Sequence, residues 1–211
     1  MLISQDAVLE WIKNCAAVIT DNRAYLIELD SAIGDADHGA NMERGFQAVL
    51  AKIPEMTGKD IGSIFKTTGM TLVSTVGGAA GPLYGTFFLH AGMKMAGKLE
   101  MNLEDWLTAL ETAVNGVVLR GKAEAGDKTM LDALLPAVKA LEDALNASHG
   151  MSQAITESAE AARQGMEDTI PLVARKGRAS YLGERSAGHQ DPGATSSFLL
   201  LKAAADTWAN L

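Results

Sequence analysis

Three aspartates crowd into one short run, "DSAIGDADHGANMERG": Asp30, Asp35 and Asp37. On a helix, positions i and i+2 point well apart, whereas on an extended segment they share a side. Gly34 and Gly39 favour the extended reading. Asp30, at the end of the preceding helical pattern, then folds over the same point. Converging carboxylates repel one another unless a cation stands between them. A hard divalent ion answers that repulsion. Magnesium fits where carboxylates supply some ligands and phosphates and water supply the rest. Read alone, the segment fits a solvated acidic turn capping the next helix equally well. An EF-hand does not fit: counted from Asp35, its sixth and twelfth positions need Gly and Glu, and here they are Ala40 and Phe46.

Further segments carry groups suited to an anion. "VGGAAGPLYG", 76–85, puts small residues before a helix start, where backbone N–H groups can approach a phosphate closely. Tight helix packing around Gly77, Gly78 and Gly81 is the competing account. "GKAEAGDKT", 121–129, imitates a P-loop, but Asp127 intrudes before Lys128 and no strand precedes it. It reads as a ligand-contacting turn or a plain helix cap, with Thr129 near a helix N-terminus. "ARKGRASYLGERSAGHQDPGATS", 174–196, offers Arg175, Arg178, Arg185, His189 and Asp191. Arg178 is suited to bidentate pairing with a phosphate. His38 lies beside the acidic cluster, yet four scattered histidines and one cysteine show no structural zinc spacing. His90, Cys15, Trp11, Trp106 and Trp208 read as packing residues.

The elements that must position these groups are helices. No run of alternating β-branched residues occurs, and apolar residues recur at steps of three and four. Eight helical segments are predicted, over about 5–28, 40–53, 59–76, from "GGAAGP" to 97, 103–120, 129–146, 151–176, and from "DPGATS" onward. Pro82 falls in a first turn, and Asp191 and Pro192 read as N-cap and first helical residue. The stretch 177–191 is polar, glycine-punctuated and irregular, the kind of long loop that often carries function. Connectors of two kinds alternate. Those after the second, fourth and sixth helices are plain, while those after the first, third, fifth and seventh are glycine-rich or bear aspartate. In an up-and-down array, alternate connectors lie at one end. Four helix N-termini would then face one mouth, a ready anion site.

Bulk composition agrees with one domain over 1–211. The chain is 47% hydrophobic and 21% charged, with 5% aromatics, which suits a packed helical protein. A net charge of −8 argues against nucleic-acid binding. One cysteine excludes an intrachain disulfide. No run approaches the ~20 apolar residues of a membrane span. Charges within the first dozen residues do not read as a signal peptide, so the expected compartment is the cytoplasm.

"GDADHG", "GGAAGPLYG", "RGKAEAGDKT", "ARKGRASYLGERS" and "GHQDPGA" stand in the order and spacing of the nucleotide-binding L subunits of bacterial dihydroxyacetone kinases. The resemblance covers about residues 25–198. It implies an all-α fold, a closed antiparallel barrel of eight helices with the nucleotide on one rim. It implies that Asp30, Asp35 and Asp37 hold two magnesium ions. His38, Gly39, Ala40 and Asn41 match a nucleotide-contacting segment, and Ala79 and Ala80 match the phosphate turn. Gly121 and Met130 match the sides of the base and ribose pocket. Arg178, Asp191, Pro192 and Gly193 match further nucleotide contacts. Many relatives carry serine at the position of Ala80, so one hydroxyl contact to phosphate is missing and somewhat weaker nucleotide retention is expected.

The family reaction passes a phosphoryl group to dihydroxyacetone held covalently on a separate K subunit. In phosphoenolpyruvate-dependent systems, ADP stays on the L subunit and is rephosphorylated in place by a multidomain M subunit of the phosphotransferase system. ATP-dependent relatives are usually fused K–L chains. This chain carries the L part alone, so the phosphoenolpyruvate-dependent arrangement is expected, with tightly bound ADP or ATP. The alternatives are an ATP-using subunit with exchangeable nucleotide and a nucleotide-bound regulator of a transcription factor. A metal-dependent phosphohydrolase lacks an evident base to activate water.

Overall fold

The computed structural model describes residues 2–209. Its helices arise where the apolar period is cleanest. In α8 (Leu131–Asn146), Leu131, Leu134, Ala137, Leu141 and Ala144 are all buried, one stripe of an amphipathic helix. The others are α1 (Gln5–Asp21), α2 (Arg23–Ile33), α3 (His38–Leu50), α4 (Ile53–Met56), α5 (Ile61–Thr75), α6 (Ala80–Lys94), α7 (Leu103–Gly121), α9 (Met151–Asp168) and α10 (Pro192–Trp208). Asp191 caps α10 by accepting from Ala194 N at 2.7 Å, and Pro192 opens the helix, as expected.

Three boundaries differ from the sequence reading. The first helix is interrupted at Asn22, whose side-chain amide donates to the Val18 carbonyl at 2.8 Å and so shares that acceptor with its own backbone N–H, at 3.1 Å. A side chain that bonds the preceding turn competes with the backbone ladder and reorients the chain. The helix expected to reach 176 ends at Asp168. Pro171 lacks an N–H and disfavours helical geometry at the residue before it. The second helix stops at Leu50, and Pro54 opens the short α4 rather than closing the longer helix. Two further features were not expected. Arg178–Ser186 forms a 3-10 segment broken at Gly183. Ile3–Ser4 (β1) pairs antiparallel with Glu100–Met101 (β2).

Helix packing follows the chain from α5 to α10, each against the next, and α10 packs on α1, which packs on α3, which packs on α5. The core is aromatic at its centre. Trp11 meets Phe65, Phe88, Trp106 and Trp208, with ring centroids 5.1–5.9 Å apart, so five helices share one cluster. Such pairs contribute about 0.5–1.5 kcal/mol each beyond their buried area. The buried indole N–H groups of Trp11 and Trp208 donate to Leu200 O and Ala7 O. Cys15 is buried among them. Among the described residues, no helix is long and apolar enough to cross a membrane.

Candidate functional site

Asp30, Asp35 and Asp37 converge: a carboxylate oxygen from each lies within 4.8 Å of the others. Asp30 is buried on α2, and its Oδ2 accepts from Asp37 N at 2.9 Å and His38 N at 3.1 Å. It therefore caps α3 from outside that helix. Asp37, at the N-cap position itself, makes no side-chain cap bond. The two readings of the segment thus coexist, a capped turn and a carboxylate cluster. Gly34 makes the convergence possible, because a Cβ there would stand 2.0 Å from Asp30 Oδ1. Ala36, between the outer aspartates, has φ +63°. An L-residue in that region costs about 1–2 kcal/mol, strain held by the surrounding bonds.

The cluster opens into a cavity of about 210 Å³. Its walls come from 30–41, 77–84, 128–130, 176–179 and 191–193, the stretches that lead into α3, α6 and α8, the 3-10 segment and α10. Every glycine-rich or aspartate-bearing connector reaches this one mouth, as the alternation of connectors predicts. Every residue matched to the family's metal and nucleotide contacts lines the cavity except Gly39, Ala40 and Gly121. Gly39 is packed on α2, where a Cβ would meet Arg23 O at 2.3 Å. Ala40 occupies the first turn of α3. Gly121 closes α7 behind Leu83, a lining residue 3.3 Å from where its Cβ would stand. Arg175, Arg185 and His189 do not line the cavity either.

Around the mouth the polar side chains hold one another in place. His38 Nε2 sits 2.8 Å from Ser196 Oγ. Burial lowers its pKa, opposed by Asp30 and Asp37, so a neutral imidazole is favoured. Tyr84 Oη meets Ser196 Oγ at 2.7 Å and Ser197 Oγ at 2.9 Å, and burial pushes its pKa up. Arg44 donates to Asn41 Oδ1 at 2.6 Å, which turns the Asn41 amide nitrogen away from the arginine. Arg178, expected at a phosphate, is paired with Asp35 at 2.8 Å.

Sequence reasoning missed Tyr84 and Lys128, both buried and both lining the cavity. Lys128 stands in the segment that reads as a ligand-contacting turn or a plain helix cap, where only Thr129 was singled out. It also missed Asp132, which accepts from Gly126 N at 2.5 Å and Thr129 N at 2.7 Å and so folds the turn ahead of α8.

Asp191 is the group most displaced in its titration. Burial raises its carboxyl to about 7, Asp132 pushes the same way, and Ala194 N–H and Lys128 oppose the shift. An unfolded aspartate ionises near ~4. Between those values the folded chain holds a proton that the unfolded chain has lost. The stability this contributes is complete below about pH 4 and is lost as pH rises through about 7. Asp191→Asn keeps a side chain that caps as well as aspartate. Urea unfolding of the variant should therefore show a gain over the parent that grows across that window to the order of 4 kcal/mol by pH 8. A gain that does not grow with pH would refute the assignment.

The sequence model of the DAK2 domain family matches residues 32–206. The "PEP-dependent dihydroxyacetone kinase, ADP-binding subunit DhaL" of Escherichia coli is 45% identical over 202 residues, covering 96% of each chain. The PTS-dependent counterpart of Lactococcus lactis is 37% identical over 201 residues, covering 95% of this chain and 96% of that one. The crystal structure of the dihydroxyacetone kinase of C. freundii in its native form superimposes with a TM-score of 0.74 at 26% identity. That match covers 94% of this chain and 34% of the kinase, so this chain spans about a third of it. The C. freundii kinase in complex with AMP-PNP and Mg2+ superimposes with a TM-score of 0.69 at 27% identity, over 94% of this chain and 33% of that one.

Proposed function

The chain belongs to the DAK2 domain family, and from that premise we propose that it is the ADP-binding subunit of a phosphoenolpyruvate-dependent dihydroxyacetone kinase. The observation that carries the reading is the convergence of Asp30, Asp35 and Asp37 with the starts of four helices on one cavity. An all-oxygen donor set of this kind suits magnesium. Asp30, Asp35 and Asp37 would hold two ions between themselves and the nucleotide. Bound magnesium neutralises phosphate oxygens and the charge that develops between donor and acceptor.

The chain's own residues bind and orient. The first turn of a helix leaves N–H groups without intrahelical partners. Gly39 and Ala40 therefore contribute through their amides although neither residue lines the cavity. Ala79 and Ala80 offer amides from the start of α6, without the hydroxyl a serine would add. His38, Asn41, Asp191, Pro192 and Gly193 line the rest of the nucleotide, with Gly121 and Met130 beside the base and ribose. Arg178 turns from Asp35 to phosphate when the nucleotide is present. The order of helix contacts, returning to α1, supports a closed eight-helix barrel as the single domain that carries this rim.

In this reading an M subunit phosphorylates the bound ADP. The phosphoryl group then passes to dihydroxyacetone on a K subunit, giving dihydroxyacetone phosphate. The subunit acts in the cytoplasm and is active only with both partners, and a transcriptional regulator is a further candidate partner. Purification without added nucleotide tests the cofactor role. One equivalent of ADP should survive gel filtration in magnesium and be lost in excess EDTA. A nucleotide-free chain would favour an ATP-using subunit with exchangeable nucleotide instead.

A further inference from the structure

Lys128 is 1% exposed, and its backbone is left-handed, with φ +62°. Its ammonium donates to Ser186 O at 2.7 Å, Leu172 O at 3.0 Å and Ile170 O at 3.4 Å. An ammonium has three N–H donors, and these carbonyls use all of them. Among the described residues no carboxylate forms an ion pair with it. Its hydrogen bonds all go to main-chain oxygens, with the charge of Asp191 acting on it only through space; a desolvated charge so held is costly to bury and is justified by what it fixes in place.

What it fixes is the neck of a loop. Ile170 and Leu172 lie on the leg leaving α9, and Ser186 lies on the leg returning to α10. The legs are joined by Gly188 N donating to Ile170 O at 2.8 Å and by Ala174 N donating to Ser186 Oγ at 2.8 Å. Asp191 N donates to Thr169 Oγ1 at 3.0 Å just beneath. Residues 170–188 thus form a long excursion, carrying the 3-10 segment, whose ends are held together. Its tip brings Lys176, Gly177 and Arg178 to the cavity. Lys128 itself stands on a different connector, and it lines the same cavity.

We propose that Lys128 is a positioning residue: its ammonium clamps both legs of the 170–188 loop and so sets where Arg178 meets the nucleotide. The role toward nucleotide rests on the function proposed above; the clamp does not. The loop tip carries exposed Arg175, Arg178 and Arg185, so trypsin reads its release directly.

On the full chain, Lys128→Met should raise the cleavage rate within 175–185 at least about tenfold, the equivalent of one lost charged hydrogen bond. Circular dichroism and cleavage elsewhere should stay unchanged, and Lys128→Arg should restore resistance. Unchanged cleavage would overturn the clamp, and this arm needs no nucleotide, so it decides even if the chain retains no ADP. The second arm is a cycle with Arg178→Met, reading ADP dissociation. Each single variant should release ADP about tenfold faster, and the double variant no faster than Arg178→Met alone. Multiplying effects would show that Lys128 does not act through Arg178. If Lys128→Met fails to fold, Lys128→Gln, which keeps two donors, takes its place in both arms, with intermediate loop release expected and parental resistance to trypsin overturning the clamp.

Discussion

Replacing Asp35 and Asp37 together by asparagine should collapse phosphoryl transfer by about a thousandfold or more, in keeping with the several kcal/mol of charge stabilisation a bound divalent ion supplies. The same variant should release ADP at the rate of the EDTA-treated parent, equally with and without chelator. Asparagine preserves shape and one oxygen at each position but removes both charges, so the hard cation loses its reason to bind. The fold should be untouched, since neither side chain makes a helix-capping bond. Thermal unfolding of the metal-free chain should occur at the parental temperature or slightly above it, because like charges have been removed from one point. Asp30 is the wrong residue for this test. It caps α3 through two amides, so its loss would mix folding with chemistry. The measurements are ADP dissociation with and without chelator and turnover in the presence of K and M subunits. Magnesium-sensitive retention in the double variant would remove the three-aspartate site from the account.

The part of this site that was legible in the sequence was legible through alternation. Connectors rich in glycine or aspartate lead into α3, α6, α8 and α10, and helices that run up and down bring such connectors together whatever their exact lengths. What stayed hidden has physical causes of three kinds. Asn22 bends a helix through one side-chain bond that competes with the ladder, and helical periodicity runs straight across it. Gly39 illustrates the second kind. A glycine that lets two helices touch and a glycine that lets a ligand approach both forbid a Cβ, so the letter alone does not separate them. Lys128 illustrates the third. Its partners are carbonyl oxygens, which every residue carries, so no pattern of side chains announces the contact. Pro171 was a signal in plain view and ends α9 as its chemistry requires.

Arg178→Met should lower phosphoryl transfer by about a hundredfold to a thousandfold, the usual cost of removing one donor from developing charge. It should do so without lowering stability. The guanidinium and Asp35 are 68% and 34% exposed, and a pair so wetted contributes about 0–1 kcal/mol. That weakness is what allows the arginine to exchange one partner for another. Magnesium affinity should hold or rise, since Asp35 loses a competing cation. The sign of that change separates this variant from the aspartate pair, which fails in the same turnover assay by losing the metal. Lys in place of Arg178 restores the charge but not the planar fork, so it should recover only part of the activity. The decisive measurements are turnover with both partner subunits, magnesium titration of ADP retention, and unfolding temperature on the same preparations. Parental turnover in Arg178→Met would reduce the guanidinium to a counter-ion for Asp35, and the 170–188 loop would then need another reason to reach the cavity.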